Sequence, residues 1–237
     1  MRRYALIMLV LGLCPLALSA TSPEQDKTAS TSFTWGGRIG FAATGTYLKD
    51  ASIDGHKITE YTQDTQVGNF AALQFRWSSN RFLIQSGLGL SHNKSSFSIE
   101  RSSWDPAAEN AEDLLCSYSM RSLTLPVQAG YHVISRAPYY MSVFTGPRLR
   151  YTPPKQFSTK IVNLDPYQFT ESPEEFVVSW TIGMSVQIGR TFFDFEYEQS
   201  INDITGPLTI VSGTEPATDY RLDRRVGIIS FSYGIMF

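Results

Sequence analysis

The chain has 237 residues, of which 42% are hydrophobic, 18% charged and 13% aromatic, and its formal net charge is −2. This aromatic content and small net charge exclude an intrinsically disordered chain, and the lack of a basic run excludes a nucleic-acid-binding protein. The low charged fraction is typical of a protein with much of its surface in contact with something other than water.

Residues 1–20 have the features of a cleaved secretory signal peptide. Arg2 and Arg3 form a positively charged start, an apolar run follows, and small residues end the segment. The polar residues 21–34 predict a flexible leader. The remaining residues, 35–237, are expected to form one domain.

Beyond the leader, hydrophobic residues alternate with polar or small residues with a period of two, which is the signal of a β-strand. Eight such segments occur, each long enough for a tilted strand that crosses a membrane, which needs ~9–11 residues. They cover residues 35–48, 68–77, 82–92, 117–132, 139–151, 176–188, 191–201 and 225–237. Because irregular backbone and open sheet edges are not tolerated in lipid, a membrane-embedded form has to be a closed β-barrel.

Long and short connections alternate between these segments. The long ones are 49–67, 93–116, 152–175 and 202–224, and the short ones are 78–81, 133–138 and 189–190. This alternation predicts an all-β fold, namely an eight-stranded, antiparallel, up-and-down transmembrane β-barrel with long outer loops and short periplasmic turns. Both ends of the barrel domain then lie on the periplasmic side.

Pro126 lies inside the fourth segment. Proline cannot donate a hydrogen bond to a neighbouring strand, so it is disfavoured in the interior of a sheet. We expect either a β-bulge at this residue or a strand that begins beyond it.

Alternation alone does not decide which face of the barrel meets lipid, since a soluble lipocalin-like barrel has its apolar face inside. The apolar face carries aromatic residues near the strand ends, as expected for the girdles at the two membrane interfaces. They are Trp35, Tyr47, Trp77, Tyr131, Tyr139, Tyr151 and Phe237. The opposite face is rich in glycine, which leaves room for other side chains in a narrow eight-stranded interior. Its glycines include Gly40, Gly87, Gly89, Gly130, Gly146, Gly183 and Gly234. Both patterns predict that the apolar face points outward.

The inward face also carries charges of both signs. They are Arg38, Arg76, Arg148, Arg150, Asp194, Glu196 and Glu198. An unpaired charge in a low dielectric costs several kcal/mol, whereas opposite charges that pair offset part of that cost. We therefore predict a structural charge network that largely plugs the lumen, with a path for protons or ions as the alternative.

The last strand, RVGIISFSYGIMF, resembles the C-terminal signal by which outer-membrane barrels are recognised for assembly. Its apolar positions are Ile229, Phe231, Tyr233, Ile235 and Phe237. The segments GGRIGF, SLTLPVQAGYHV, YYMSVFTGPRLRY and DFEYEQSINDI resemble the PorT-like outer-membrane β-barrel family of Bacteroidota. The resemblance implies the barrel fold, an outer-membrane location and a link to protein secretion. It also implies a leucine/isoleucine–proline step in one strand, which would account for Pro126.

We expect a monomeric integral outer-membrane protein that contacts membrane lipid and the barrel assembly machinery. Its role is expected to be structural, interaction-based or secretion-associated, and its long loops are the expected contact surface for an envelope or secretion-system protein. A small porin-like channel is the alternative.

A third hypothesis is a lipid-modifying enzyme with His92 at the outer rim, aided by Ser91 or Ser95 and a carboxylate such as Glu198. Adjacent strand residues point to opposite faces, so Ser91 and His92 are not expected to form a nucleophile–base pair. We therefore predict no enzymatic activity and no catalytic residue. The sequence has no metal-ligand spacing such as CxxC or HExxH, and neither a metal nor a cofactor is expected. Beyond the signal peptide Cys116 is the one cysteine, which excludes an internal disulfide.

Overall fold

The computed structural model describes residues 31–53, 56–58, 60–100, 112–163, 168–170, 174–205, 209–212, 215–217 and 221–237. The predicted signal peptide and residues 21–30 of the predicted leader lie outside these ranges. The predicted leader extends too far, because residues 31–34 belong to the first strand, which begins at Thr31. None of the helical segments in the described part of the chain has the length and apolar character of a membrane-spanning helix.

The described residues form fourteen strands, which are numbered in chain order, and one short 3-10 helix at Pro154–Gln156. Eight long strands build the barrel wall: β1 (Thr31–Ile53), β4 (Gln66–Ser79), β5 (Phe82–Ile99), β6 (Leu114–Arg136), β7 (Tyr139–Tyr151), β10 (Phe176–Ile188), β11 (Thr191–Ser200) and β14 (Arg221–Met236). The short strands are β2 (His56–Lys57), β3 (Thr62–Asp64), β8 (Phe157–Val162), β9 (Gln168–Thr170), β12 (Thr209–Ser212) and β13 (Glu215–Ala217).

The eight long strands close into a ring in which every neighbouring pair is antiparallel. The order is β1-β14-β11-β10-β7-β6-β5-β4 and back to β1. The first and last strands therefore pair with each other, which leaves the ring without an open edge. The predicted eight-stranded up-and-down barrel is confirmed.

Tight turns close the periplasmic end of the barrel. Asn80 and Gly189, which lie in two of these turns, have φ of 55° and 60°. Asparagine and glycine are the residues that adopt this left-handed conformation most readily, so the sequence is matched to short turns here.

The predicted bounds 139–151 and 176–188 coincide with those of β7 and β10. The third and fourth predicted segments are too short, because β5 runs on to Ile99 and β6 begins at Leu114. Residues 93–99 and 114–116 of the predicted loop 93–116 are therefore strand. In this region β3 pairs with β5, and β8 pairs with β6.

The apolar face of the strands points outward, as predicted. Ile39 and Phe41 on β1 are 65% and 66% exposed. Six of the seven predicted girdle aromatics are also exposed, and Tyr151 is half-buried. A wide belt of exposed apolar side chains around a closed barrel is the surface that a bilayer solvates.

Beyond this belt, towards the outer end, the sidedness of the alternation is reversed. In β6 the apolar residues Leu123 and Leu125 face outward, but the apolar residues Cys116, Tyr118 and Met120 face inward and are buried. This outer collar, formed by residues 93–99 of β5 and 114–122 of β6 with the flanking strands β3 and β8, has an apolar interior and a polar exterior. That arrangement is suited to water, so the outward change from Leu123 to Arg121 marks the outer boundary of the apolar belt.

The expected bulge at Pro126 is wrong, and so is the alternative that the strand begins beyond it. The register of β6 against β5 is the same on both sides of Pro126, where pairing is only interrupted. Ser86 compensates in part, because its hydroxyl donates to the Pro126 carbonyl at 2.8 Å. The irregularity of β6 lies instead between His132 and Ile134, near the periplasmic end.

Candidate functional site in the barrel lumen

Three carboxylates project into the lumen from a single strand. Asp194, Glu196 and Glu198 occupy alternate positions of β11, and side chains two residues apart lie on the same face of a strand. Each of the three residues is at most 2% exposed. The residues between them are aromatic and face outward, so the same strand contributes to the apolar belt and to the lumen.

Arg38 of β1 joins the first two carboxylates. Its Nη1 donates to Asp194 Oδ2 at 3.1 Å and also forms an ion pair with Glu196 Oε1. Because β1 and β11 flank β14 in the ring, this arginine spans one intervening strand. Its guanidinium also lies over the ring of Phe70, 5.5 Å from the centroid.

Arg148 and Arg150 of β7 reach the same row of carboxylates from the other side. Arg148 pairs with Glu196 Oε2 and donates from Nη1 to Glu198 Oε2 at 2.7 Å. Arg150 donates from Nη2 to Glu198 Oε1 at 2.7 Å and from Nη1 to Ser91 Oγ at 3.1 Å. The resulting chain of ion pairs is called the ion-pair ladder, and its members in order are Asp194, Arg38, Glu196, Arg148, Glu198 and Arg150.

The seventh residue of the predicted network, Arg76, lies outside the ladder. Its guanidinium donates to Gln85 Oε1 at 3.0 and 3.1 Å, to Gln187 Oε1 at 3.1 Å and to Ser185 Oγ at 3.4 Å. Gln187 and Ser185 belong to β10, which is four strands from β4 in the ring of eight. Arg76 therefore bridges opposite walls of the barrel through neutral partners.

Aromatic rings fill much of the remaining lumen, and each lies against a glycine on another strand. A Cβ on Gly183 would lie 2.6 Å from Phe144 Cε2, and one on Gly40 would lie 2.7 Å from the Phe70 ring. The three pairs are Phe70 with Gly40, Phe144 with Gly183, and Phe192 with Gly234. The inward glycines thus provide the space that these rings occupy.

Sequence reasoning missed these inward rings, because it placed large aromatic residues on the lipid face. A signal for Phe192 was present: two consecutive phenylalanines in a strand cannot both face lipid, and Phe193 fits the outward phase. The inward phenylalanine is fully buried and stands beside Arg76, with 5.8 Å between the guanidinium and the ring centroid.

Little open space remains between the ladder and the polar residues around it. A cavity of about 30 Å³ is lined by residues such as Gln74, Asn93 and Arg148. A water molecule needs ~10–15 Å³ of such volume, so this cavity has room for about two waters.

The interior of the outer collar is mainly apolar but contains a small polar group. The Thr46 hydroxyl donates to the Tyr118 hydroxyl at 3.0 Å, and Arg224 lies 3.7 Å from the Cys116 sulfur. Burial raises the pKa of the Tyr118 hydroxyl and of the Cys116 thiol, and the positive charge of Arg224 opposes both changes. Both groups are therefore neutral, and they pack as core side chains beyond the apolar belt.

The histidines do not assemble the hypothesised lipid-modifying site. His92 faces outward and its Nε2 lies 3.0 Å from Ser119 Oγ, whereas Ser91 faces inward and accepts a hydrogen bond from Arg150. His132 lies in the lumen near the periplasmic end, with Nδ1 2.7 Å from Ser142 Oγ. Among the described residues, no group of three or more His, Cys, Asp or Glu side chains is placed to hold a metal ion.

The residues of the C-terminal signal form one outward row along β14. All five are exposed: Ile229, Phe231, Tyr233, Ile235 and Phe237. Phe237 is tied to the first strand, since its amide donates to the Trp35 carbonyl at 2.7 Å and the two ring centroids lie 5.3 Å apart. The row is thus placed directly at the junction of the first and last strands.

Comparison with protein families gives one match, to a model described as an outer membrane protein beta-barrel domain, over residues 24–206. That range is more than half of the chain. Among curated proteins, none matches.

Solved structures with a similar chain trace include three small outer-membrane proteins. The outer membrane protein OprG from Pseudomonas aeruginosa is 14% identical, with 89% of this chain and 99% of that chain covered and a TM-score of 0.48. Neisserial surface protein A is 11% identical, with coverages of 88% and 99% and a TM-score of 0.40. The attachment invasion locus protein Ail of Yersinia pestis is 12% identical, with coverages of 86% and 99% and a TM-score of 0.39.

Proposed function

Because the chain belongs to the outer membrane protein β-barrel domain family, we propose that it is a monomeric outer-membrane barrel with a largely plugged lumen. Its role is structural, interaction-based or secretion-associated, and its outer loops are the contact surface for an envelope or secretion-system protein. Its lumen is not a route for solutes.

The observation that carries this proposal is the set of side-chain contacts that cross the lumen. Arg76 reaches from β4 to β10, and Arg150 of β7 contacts both Ser91 on β5 and Glu198 on β11. Gln128 of β6 adds a further link, since its Nε2 donates to Thr181 Oγ1 of β10 at 2.8 Å. The cavity of about 30 Å³ beside the ladder is too small for a solute larger than water.

Planar-bilayer recordings test the plug. The full-length protein is expected to give no solute-sized conductance steps. A double variant, R150A/E198A, removes the two ion pairs that Glu198 makes with Arg148 and Arg150 without changing the net charge, and we expect it to conduct small ions. The matched control R225A/D203A removes an ion pair of 3.2 Å at the outer end of the barrel and should remain silent. Clear steps from the unaltered protein would refute the plugged lumen and favour the porin-like channel.

We also propose that the protein has no enzymatic activity. The support is geometric: His92 and Ser91 lie on opposite faces of β5, and Glu198 is committed to two arginines. Ser95, the second hypothesised nucleophile, also lies on the inward face of β5, where its hydroxyl is buried 2.8 Å from the Thr46 hydroxyl.

The finer family assignment is likewise a proposal. The four segments that resemble the PorT-like family of Bacteroidota support it, and with it the link to protein secretion. Residues 1–20 are proposed as a cleaved signal peptide and residues 21–30 as the leader. The barrel domain begins at Thr31, the first residue of β1, and runs to residue 237. The outward row from Ile229 to Phe237 is proposed as the assembly signal, because its exposure at the end of β14 leaves it accessible to the assembly machinery before the ring closes.

A further inference from the structure

Two grooves run obliquely around the lipid-facing surface of the barrel, on either side of one row of outward side chains. The members of this central row are cross-strand partners: Tyr233, Ile39, Ala71, Leu90, Leu123 and Tyr151. The groove on its outer side has a volume of about 940 Å³, and the groove on its periplasmic side has a volume of about 720 Å³. Ala71 is the shortest side chain of the row, so the two grooves approach each other there.

The outer groove changes from apolar to polar along its length. Its second wall is the next row of cross-strand partners, which begins with Phe231 and Phe41 and continues through Asn69, His92 and Arg121. The apolar end therefore lies on β14 and β1, and the polar end lies on β5 and β6.

The polar end of the outer groove is basic. Arg121 is the direct cross-strand partner of His92, and Lys94 lies two residues from His92 on the same outward face of β5. Lys94 and Arg121 are exposed. No carboxylate of the described residues lies within ion-pair distance of any of the three, whereas Arg225 at the same end of the barrel pairs with Asp203.

This basic group lies at the height of lipid headgroups. The outward side chains of β5 and β6 change from Leu90 and Leu123 to His92 and Arg121, which is the outer boundary of the apolar belt. At the comparable boundary on β1 the outward residue is the uncharged Tyr47, with the exposed Lys49 two residues beyond it, and on β11 it is Gln199. Two exposed cations therefore lie together where the outer groove ends, whereas β1 contributes one at this height.

We propose that the two grooves and the basic group together bind a phosphorylated, multiply acylated lipid of the outer leaflet. Arg121, Lys94 and His92 contact its phosphate, because an arginine fork and a lysine ammonium form strong charge-assisted hydrogen bonds with phosphate oxygens. The acyl chains lie in the grooves on both sides of Ala71. Charge complementarity at one end and apolar walls along the rest define the occupant as a lipid and not a free anion.

The experiment measures lipid binding to the full-length protein in non-ionic detergent, by native mass spectrometry. The probe is lipid A with two phosphates, and the comparison is the same lipid A after dephosphorylation. We expect the phosphorylated form to bind at least about tenfold more tightly, because its phosphate oxygens accept charge-assisted hydrogen bonds that the dephosphorylated form cannot make. Equal binding of the two forms would overturn the proposal.

Variants separate the headgroup site from the grooves. K94A/R121A should lower the affinity for phosphorylated lipid A at least about tenfold, and A71F should lower it by obstructing the grooves without changing a charge. The matched control R81A/R190A removes two exposed arginines at periplasmic turns and should bind like the unaltered protein. If either K94A/R121A or A71F binds as the control does, the assignment is wrong.

Two further measurements keep the test decisive. Each variant is run on an SDS gel before and after boiling, and a variant that lacks the heat-dependent shift is replaced by K94Q/R121Q or A71L. Inorganic phosphate in excess should not displace the bound lipid. Full displacement would mean that the basic group is an anion site independent of the grooves, which also contradicts the proposal.

Discussion

Glu196 is the residue on which the stability of the ion-pair ladder depends most, because it pairs with two arginines from different strands. Arg38 approaches it from β1 and Arg148 from β7. The substitution Glu196→Gln retains the size of the side chain but removes the negative charge that both arginines share. The balance of the seven predicted charges changes from four positive and three negative to four positive and two negative.

The expected loss in the free energy of unfolding for Glu196→Gln is large but lies at the lower end of the range for a broken buried ion pair. Removing one partner of a buried ion pair costs about 3–5 kcal/mol. Arg38 still has Asp194 at 3.1 Å and Arg148 still has Glu198 at 2.7 Å, so we expect the lower limit, about 3 kcal/mol. Asp194→Asn removes a single contact from an arginine that retains Glu196, and a hydrogen bond to a charged group contributes about 1.5–3 kcal/mol. Asp194→Asn should therefore cost about 1.5 kcal/mol.

The assay is urea unfolding of the barrel in lipid vesicles, followed by tryptophan fluorescence. With a denaturant slope of about 1–3 kcal/mol per molar urea, Glu196→Gln should lower the midpoint by about 1–3 M. The matched control is Glu60→Gln, an exposed carboxylate in the described residues, which should change stability by less than about 0.5 kcal/mol. A Glu196→Gln variant as stable as this control, or less affected than Asp194→Asn, would refute the reasoning.

Two further predictions concern the lumen rings and the end of the chain. Gly183→Ala should lower stability by about 1–3 kcal/mol through overpacking, because its Cβ would lie 2.6 Å from Phe144 Cε2. Adding Phe144→Leu should recover part of this loss in the same urea titration. If no stability is recovered, the Phe144 ring is not the obstacle. Phe237→Ala should lower the amount of folded protein in outer-membrane fractions, measured by the heat-dependent gel shift, because it removes both the ring contact with Trp35 and the last residue of the proposed assembly signal. Phe176→Ala, at an exposed phenylalanine far from the chain end, is its control, and an equal loss in both variants would contradict the signal.

The barrel was predictable from the sequence because strands with one apolar face alternate with a period of two, and the aromatic and glycine positions indicated which face meets lipid. The outer collar was not, since the apolar residues of β6 change from even positions, Cys116 to Met120, to odd positions from Leu123 onwards. When β6 is read as a single strand, the two phases of its apolar alternation cancel each other. The boundary between the part of the barrel wall in water and the part in lipid then resembles the end of a strand.

The partners inside the lumen were also only partly predictable. The period of two places Asp194, Glu196 and Glu198 on one face, but it does not give the register between strands. It therefore could not show that Arg38 lies between two carboxylates while Arg76 meets neutral amides. The prediction for Pro126 was wrong for a related reason. An interruption in pairing leaves the register unchanged, and a proline in the sequence does not distinguish such an interruption from a bulge.

The ladder also links the electrostatics of the lumen to the order in which the barrel is completed. All of its carboxylates belong to β11, and the arginine that meets Asp194 comes from the first strand, which lies close to β11 only once β1 pairs with β14 and closes the ring. In an intermediate with that seam still open, the part of the ladder on β7 and β11 has three carboxylates and two arginines, an excess of one negative charge within the ladder. Joining of the two ends of the chain removes that excess, so the seam is favoured by a force that acts across the lumen as well as by its own hydrogen bonds. The charges of the lumen therefore help to select β1 as the strand that closes the barrel.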